Sequence, residues 1–147
     1  MPRFDKKYDQ VLSHASATTA FRKIWNQRFA ALSHYLKKLQ AERIPAVETV
    51  HQLRVWARRT TAVVDLFAPT PLTGAWLKLR QSLKKIRRWA GEVRDFDVIW
   101  SSIKQLDPPL DKEFLSLWKR RRRIARRALA ARARTKPLLK EGPQTLK

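Results

Sequence analysis

Histidine and arginine recur along one segment at spacings that a helix would bring onto a single face. In VHQLRVWARR, residues 50–59, His51, Arg54 and Arg58 lie three and four positions apart, which makes them neighbours on a helix surface. Arg59 follows at the next position. The planar guanidinium group donates paired hydrogen bonds that match the oxygens of phosphate, and a histidine can add a further donor. The segment therefore predicts an anion-binding surface.

Other residue types that perform chemistry are scarce. The chain has no cysteine, which excludes thiolate nucleophiles, thiolate metal sites and disulfides. The other two histidines show no metal-ligand spacing with His51, and no glycine-rich phosphate loop is present. Asp95 and Asp97 could hold a metal ion, but helix capping and pairing with Arg94 explain them more simply. We therefore expect a binding protein, not an enzyme, without a metal or cofactor.

The composition also indicates a negatively charged partner. Thirty-three lysines and arginines against 12 acidic residues give a formal net charge of +21. Because such self-repulsion opposes a compact fold, a polyanion is the leading interpretation, whether nucleic acid, anionic lipid or polymeric phosphate. Apolar residues make up 44% of the chain and include six tryptophans, unlike a disordered basic tail. Since no apolar run has the length of a signal peptide or membrane span, we expect a cytoplasmic protein without membrane insertion.

Prolines and small polar residues divide the chain into segments with helical periodicity. Runs rich in Leu, Ala, Arg and Lys, with only three glycines, favour helix over strand. We predict an all-α fold, an antiparallel bundle of four main helices with a short leading helix within residues 4–12. The main helices are expected from Thr18 or Thr19 to about Gln40, from Pro45 to before Pro69, from about Thr73 to Gly91, and from about Leu110 into the 130s.

The sequence also predicts where the third helix ends. Gly91 is expected to close it as a left-handed cap, because glycine is common at that position. The following segment GEVRDFDV is expected to form a tight turn, in which Asp95 caps a short further helix that ends before Asp107. The whole chain, residues 1–147, is expected to be a single domain with a flexible tail at about 137–147.

The second predicted helix separates into an apolar and a basic face. The apolar arc holds Leu53, Trp56, Thr60, Val63, Val64 and Phe67. His51, Arg54 and Arg58 lie opposite, with Arg59 beside them, so neither Arg58 nor Arg59 is expected to be needed for packing. A solvated helix face normally mixes charges of both signs, and within residues 50–67 Asp65 is the sole acid. The basic face is therefore predicted to line a binding cleft.

Further cations are predicted to converge on the same cleft. The third predicted helix repeats the arrangement, with Arg80 and its basic neighbours opposite an apolar stripe. Arg28 lies among apolar residues of the first helix, where it must find a carboxylate, reach solvent or line a wet cleft. Four consecutive arginines at 120–123 sweep the circumference of the last helix, so at least one borders its packed face. The lining predicted beyond the second helix comprises Arg28, Lys84, Arg87, Arg88, Arg121 and Arg122.

Two motifs together resemble the signatures of the conserved histidine α-helical domain (CHAD) family. ETVHQLRVWARR at 48–59 is similar to the E-x-x-H-x-x-R-V-x-x-R-R helix of that family, and WAGEVRDFDV at 89–98 to its L-G-x-x-R-D-x-D-V segment. Ala90 stands where the family commonly has leucine, and Thr61 where a further arginine is frequent. The resemblance implies that the phosphate contacts include His51, Arg54, Arg58, Arg59 and Arg94, although Arg94 could equally anchor the predicted turn.

The resemblance also carries expectations about function and assembly. It implies a non-catalytic helical module that binds inorganic polyphosphate, alone or beside a triphosphate-hydrolysing protein, in the cytoplasm and on polyphosphate granules. The alternative is a nucleic-acid-binding protein held by phosphate-backbone electrostatics. Since the family domain is longer and has two similar bundles, only the N-terminal one is expected here. Either two copies associate as a homodimer, or one bundle binds alone, or the sequence is a fragment.

Overall fold

The computed structural model describes residues 16–68, 74–106, 110–135 and 139, without the side chain of Ala17. Four α-helices follow one another within this part of the chain, and no strand occurs in it. They are α1 (Ala17–Ala41), α2 (Val47–Phe67), α3 (Gly74–Ile103) and α4 (Lys112–Thr135). The predicted all-α bundle is confirmed. The predicted leading helix lies outside the described residues, as does the predicted tail apart from Leu139.

The four helices pack in a ring around one apolar core. α1 and α3 each pack against both α2 and α4. The apolar stripes predicted for α2 and α3 are buried, with the exception of Phe67, which is 41% exposed and packs its ring 4.8 Å from that of Phe21. Burial of these stripes fixes the rotation of each helix and therefore sends the opposite, basic faces of α2 and α3 outward.

The helix ends show where short polar side chains satisfy the backbone. The hydroxyl of Ser16 accepts a hydrogen bond from the Thr19 amide at 3.3 Å, so Ser16 caps α1 slightly earlier than predicted. α2 begins after Pro45 instead of including it, with Ala46 as its N-cap. Ala46 offers no capping side chain, and its own amide donates a hydrogen bond to the Glu42 carboxylate at 2.8 Å.

α3 is continuous through Gly91, so the predicted helix end and the cap at Asp95 are wrong. Gly74 has a positive φ of 53°, and Gly91, like every other described residue, does not. A Cβ atom built on Gly91 would lie 2.9 Å from Nη1 of Arg54 on α2. Glycine at this position therefore makes room for a neighbouring side chain, although a glycine inside a helix costs about 1 kcal/mol relative to alanine.

A buried carboxylate joins the second half of α3 to α4. The side chain of Asp97 is 1% exposed, and its Oδ1 accepts hydrogen bonds from Nε of Arg122 and Nη2 of Arg126, both at 2.5 Å. A buried charge is tolerated only when it is paired in this way. The predicted pairing with Arg94 is not found at Asp97, whose partners come from the next helix.

Candidate anion-binding site

α2 and α3 run antiparallel and leave a groove of about 710 Å³ along their outer seam. We call it the basic groove. It is lined by Arg54, Arg58, Thr61 and Asp65 of α2 and by Leu77, Arg80, Gln81, Lys84, Arg87 and Arg88 of α3. Six of these ten side chains are cationic and one is a carboxylate, so the lining has a formal charge of +5. Both walls of the groove contribute cations.

Acidic partners engage the cations only at the edges of the basic groove. Asp65 accepts a hydrogen bond from Nε of Arg80 at 2.8 Å, at the end of the groove nearest the α2–α3 connection. Glu92, outside the lining, lies 4.0 Å from Nε of Arg88. The remaining four lining cations have no acidic partner within the described part of the chain: Arg54, Arg58, Lys84 and Arg87. The middle of the groove therefore presents uncompensated positive charge.

Arg54 is held against α3 because Gly91 has no side chain. The guanidinium group occupies the space that a Cβ atom on Gly91 would need. Arg54 thus reaches across the seam from α2, while Lys84 and Arg87 project from the facing helix. Guanidinium and ammonium groups on both sides can surround a single chain of anions, each contact being a charge-assisted hydrogen bond.

Comparison with models of protein families matches the CHAD domain over residues 6–145, nearly the whole chain. This chain belongs to the CHAD family. No curated protein and no solved structure matches it. The resemblance inferred from the two motifs is therefore confirmed, and the match extends well beyond them on both sides.

Five of the predicted site residues line the basic groove of this CHAD domain: Arg54, Arg58, Lys84, Arg87 and Arg88. His51 lies one helical turn before Arg54, is half-buried and does not line the groove. Sequence reasoning did not select Arg80 as a site residue, although its spacing from Lys84 placed it on the basic face. Its contact with Asp65 joins residues on separate helices, so no local pattern could predict it.

Two predicted site residues lie instead beside Trp56, whose side chain is 1% exposed. The guanidinium carbon of Arg59 is 4.8 Å from the ring centroid, and that of Arg28 is 5.3 Å from it. Arg28 is itself only 5% exposed. Because such cation–π contacts can stabilise a fold, Arg59 takes part in packing at Trp56, unlike Arg58, which lies in the basic groove. The structure does not bring these two arginines into the groove.

The last three predicted residues lie toward α4. Arg94 is half-buried and lines a separate cavity of about 540 Å³ together with Arg122. Arg122 is also a partner of the buried Asp97, which gives it a structural role. Arg121 is exposed on α4 and lines neither this cavity nor the basic groove.

The acidic and histidine side chains of this CHAD domain do not assemble a metal site in the part that the structure describes. No group of three or more of them there could hold a metal ion. Asp95 is exposed, and Asp97 is engaged by two arginines. None of the four helices combines the length and the apolar composition that crossing a bilayer requires.

Proposed function

We propose that this CHAD domain binds linear inorganic polyphosphate in the basic groove. The observation that carries the proposal is the pair of cationic walls, with four side chains that lack an acidic partner among the described residues. Polyphosphate has one negative charge or more on every unit and no other group to recognise. A groove with a high density of guanidinium and ammonium groups matches such a ligand, because each phosphate can receive contacts from either helix.

The lining favours this ligand over nucleic acid. None of the ten lining side chains is aromatic, so the groove has no platform on which a base could stack. The two helix axes are expected to lie roughly 8–10 Å apart, as packed helices do, which limits the groove to a single narrow strand. The phosphates of a duplex lie on the outside of a wide cylinder, and they would reach only the rim of such a groove.

A competition experiment tests the choice between the two polyanions. Polyphosphate is expected to displace the protein from fluorescent duplex DNA at physiological salt. The concentration of phosphate units that polyphosphate needs for this displacement should be lower than the concentration that DNA needs to displace the protein from labelled polyphosphate. Equal or reversed potency would contradict the proposal, since a binder that responds only to phosphate charge treats both polymers alike.

We also propose that the domain is not an enzyme. Phosphoryl transfer normally needs metal ions held by carboxylates. The lining of the basic groove contains one carboxylate, Asp65, and Glu92 lies beside Arg88 of the lining; both carboxylates face arginine side chains. An assay of orthophosphate release from polyphosphate with Mg²⁺ or Mn²⁺ checks this point, and catalytic turnover by the pure protein would contradict it.

The family resemblance supports two proposals about context. A triphosphate-hydrolysing protein is the proposed partner, and the cytoplasm, including polyphosphate granules, is the proposed location. Co-sedimentation of the tagged protein with isolated granules would test the location, with a variant lacking the groove cations as the matched control.

A further inference from the structure

A second concave basic surface lies where α3 meets α4. Two adjoining cavities of about 540 and 530 Å³ share Trp100, Lys104 and Arg122 as lining residues. We call them together the distal basic cleft, and its cations are Arg94, Lys104, Lys112, Lys119 and Arg122. Apart from Arg94 and Arg122, none of these belongs to the site that the sequence predicted.

The charge of the distal basic cleft is largely uncompensated. Asp97 is the sole carboxylate in its lining, and it is almost fully buried beneath the arginines that bind it. Since both Arg122 and Arg126 pair with Asp97, that cluster retains a net positive charge. The other cations of the cleft form no ion pair with an acidic residue in the described segments: Arg94, Lys104, Lys112 and Lys119.

The remaining lining indicates the kind of anion that fits. Ser101, Ser102 and Ser116 place hydroxyl groups among the cations, and hydroxyls donate readily to phosphate oxygens. The ring of Trp100 is already in contact with two cations, Lys104 and Arg122, each 5.7 Å from its centroid. A nucleobase that stacked on this ring would compete with these two cations for its faces. The chemistry of the cleft fits phosphate groups that carry no base.

The distal basic cleft continues the seam that forms the basic groove. Val47 of α2 contributes to its lining, seven residues before Arg54. On α3, Arg94 follows Gly91 by three residues, and Gly91 is the position against which Arg54 lies. At the rise of an α-helix, the separation between Val47 and Arg54 corresponds to about 10 Å along α2. The separation between Gly91 and Arg94 corresponds to about 5 Å along α3. His51 occupies the interval on α2.

We propose that the distal basic cleft is a second phosphate-binding site, and that a polyphosphate chain bound in the basic groove continues past His51 into it. This inference rests on the proposed function of the groove. From Arg80 to Ile103 the α3 axis advances about 35 Å, so only a long chain fills both sites over their whole length. A short chain such as tripolyphosphate fills each site separately.

Titration calorimetry with tripolyphosphate tests the inference through stoichiometry. The natural protein is expected to bind two molecules, and a Lys104→Ser/Lys119→Ser variant one, at the basic groove. An Arg58→Ser/Lys84→Ser variant is also expected to bind one, at the distal basic cleft. For polyphosphate long enough to reach both sites, the Lys104→Ser/Lys119→Ser variant should fall about tenfold in affinity, since two exposed charges no longer meet the chain.

The control is Lys37→Ser/Lys78→Ser, which removes the same charge at exposed positions that line neither site. It should keep both tripolyphosphate sites and the long-chain affinity. A single site in the natural protein that is unaffected by Lys104→Ser/Lys119→Ser would overturn the second site and leave the proposed function intact. Failure of the natural protein to bind long polyphosphate would overturn the proposed function itself. Equal losses of affinity in the control and the test variants would show that net charge alone governs binding, which overturns both.

Discussion

Gly91 and Arg54 form a contact in which the absence of a side chain positions a charge. In the Gly91→Ala variant the new Cβ atom would lie 2.9 Å from Nη1 of Arg54, and the end of that flexible side chain would have to move. We expect the melting temperature to stay level or rise, because alanine favours helix by about 1 kcal/mol over glycine. Polyphosphate affinity should fall several-fold, since the guanidinium group leaves its place on the seam.

A double-mutant cycle identifies the cause of that fall in affinity. If Gly91 acts through Arg54, then Gly91→Ala should cost no further affinity in an Arg54→Ala background. Additive effects would show that glycine contributes in another way. A large fall in melting temperature for Gly91→Ala alone would show that the backbone, and not the arginine, needs the glycine.

Arg58 and Lys84 lie on opposite walls of the basic groove, and both are exposed. Reversing both charges with glutamate should abolish tight polyphosphate binding while circular dichroism shows an unchanged helix content. The slope of log affinity against log salt should become shallower by roughly 0.7 to 0.9 for each phosphate that no longer meets a cation, the value known for nucleic acids. The matched control is Lys37→Glu/Lys78→Glu. A similar fall in affinity in that variant would contradict a defined groove.

The directions of the Arg54, Arg58 and Arg59 side chains show what the spacing of residues can and cannot predict. The helical periodicity predicts that Arg54 and Arg58 point outward, which is correct, because the position of a residue around a helix follows from its spacing alone. Arg59 flanks the same face, yet its side chain is long enough to lie over Trp56. Trp56 and Arg59 are three positions apart on α2, a spacing at which side chains can meet, but spacing alone does not decide whether a flanking arginine turns toward solvent or toward an aromatic ring.

At the scale of secondary-structure elements, the Asp97 cluster links α4 to the distal half of α3. Asp97→Ala leaves Arg122 and Arg126, both mostly buried, without their shared carboxylate. Removing one member of a buried ion pair typically costs about 3 kcal/mol or more. We expect a destabilisation of that size in urea unfolding, and hydrogen exchange should show that α4 loses amide protection first. Asp95→Ala is the control, since Asp95 is exposed and should change stability little.

The elements were largely predictable from the sequence, with one instructive failure. α1, α2 and α4 begin and end within a few residues of the predicted positions, because proline and capping signals bound them. The prediction that Gly91 ends α3 is wrong because glycine ends many helices but also occurs where two helices approach closely. Its neighbour across the seam is 37 positions earlier, at Arg54, and such a contact leaves no local signature.

At the scale of the whole molecule, apolar side chains remain exposed on α4. Phe114, Leu117 and Ile124 recur at helical spacing, and Leu117 and Ile124 are 47% and 54% exposed. Such a stripe is typical of an interface, so the homodimer expected from the sequence remains a prediction. Light scattering at micromolar concentration should report a dimer, favoured by polyphosphate, which offsets the repulsion between two strongly basic chains. The double variant Leu117→Ser/Ile124→Ser should be monomeric, and a monomer in both proteins would contradict the prediction.

The cations that line the basic groove without acidic partners affect the stability of the free protein. Arg54, Arg58, Lys84 and Arg87 repel one another across the seam when no anion lies between them, so α2 and α3 are pushed apart by the same charges that attract the ligand. Simple salt shortens the range of this repulsion to about 8 Å at physiological ionic strength. Sodium chloride should therefore raise the melting temperature of the free protein while it weakens the complex. The two curves of stability against salt, measured by differential scanning fluorimetry, should converge from opposite directions. A melting temperature of the free protein that does not rise with salt would contradict repulsion between the walls.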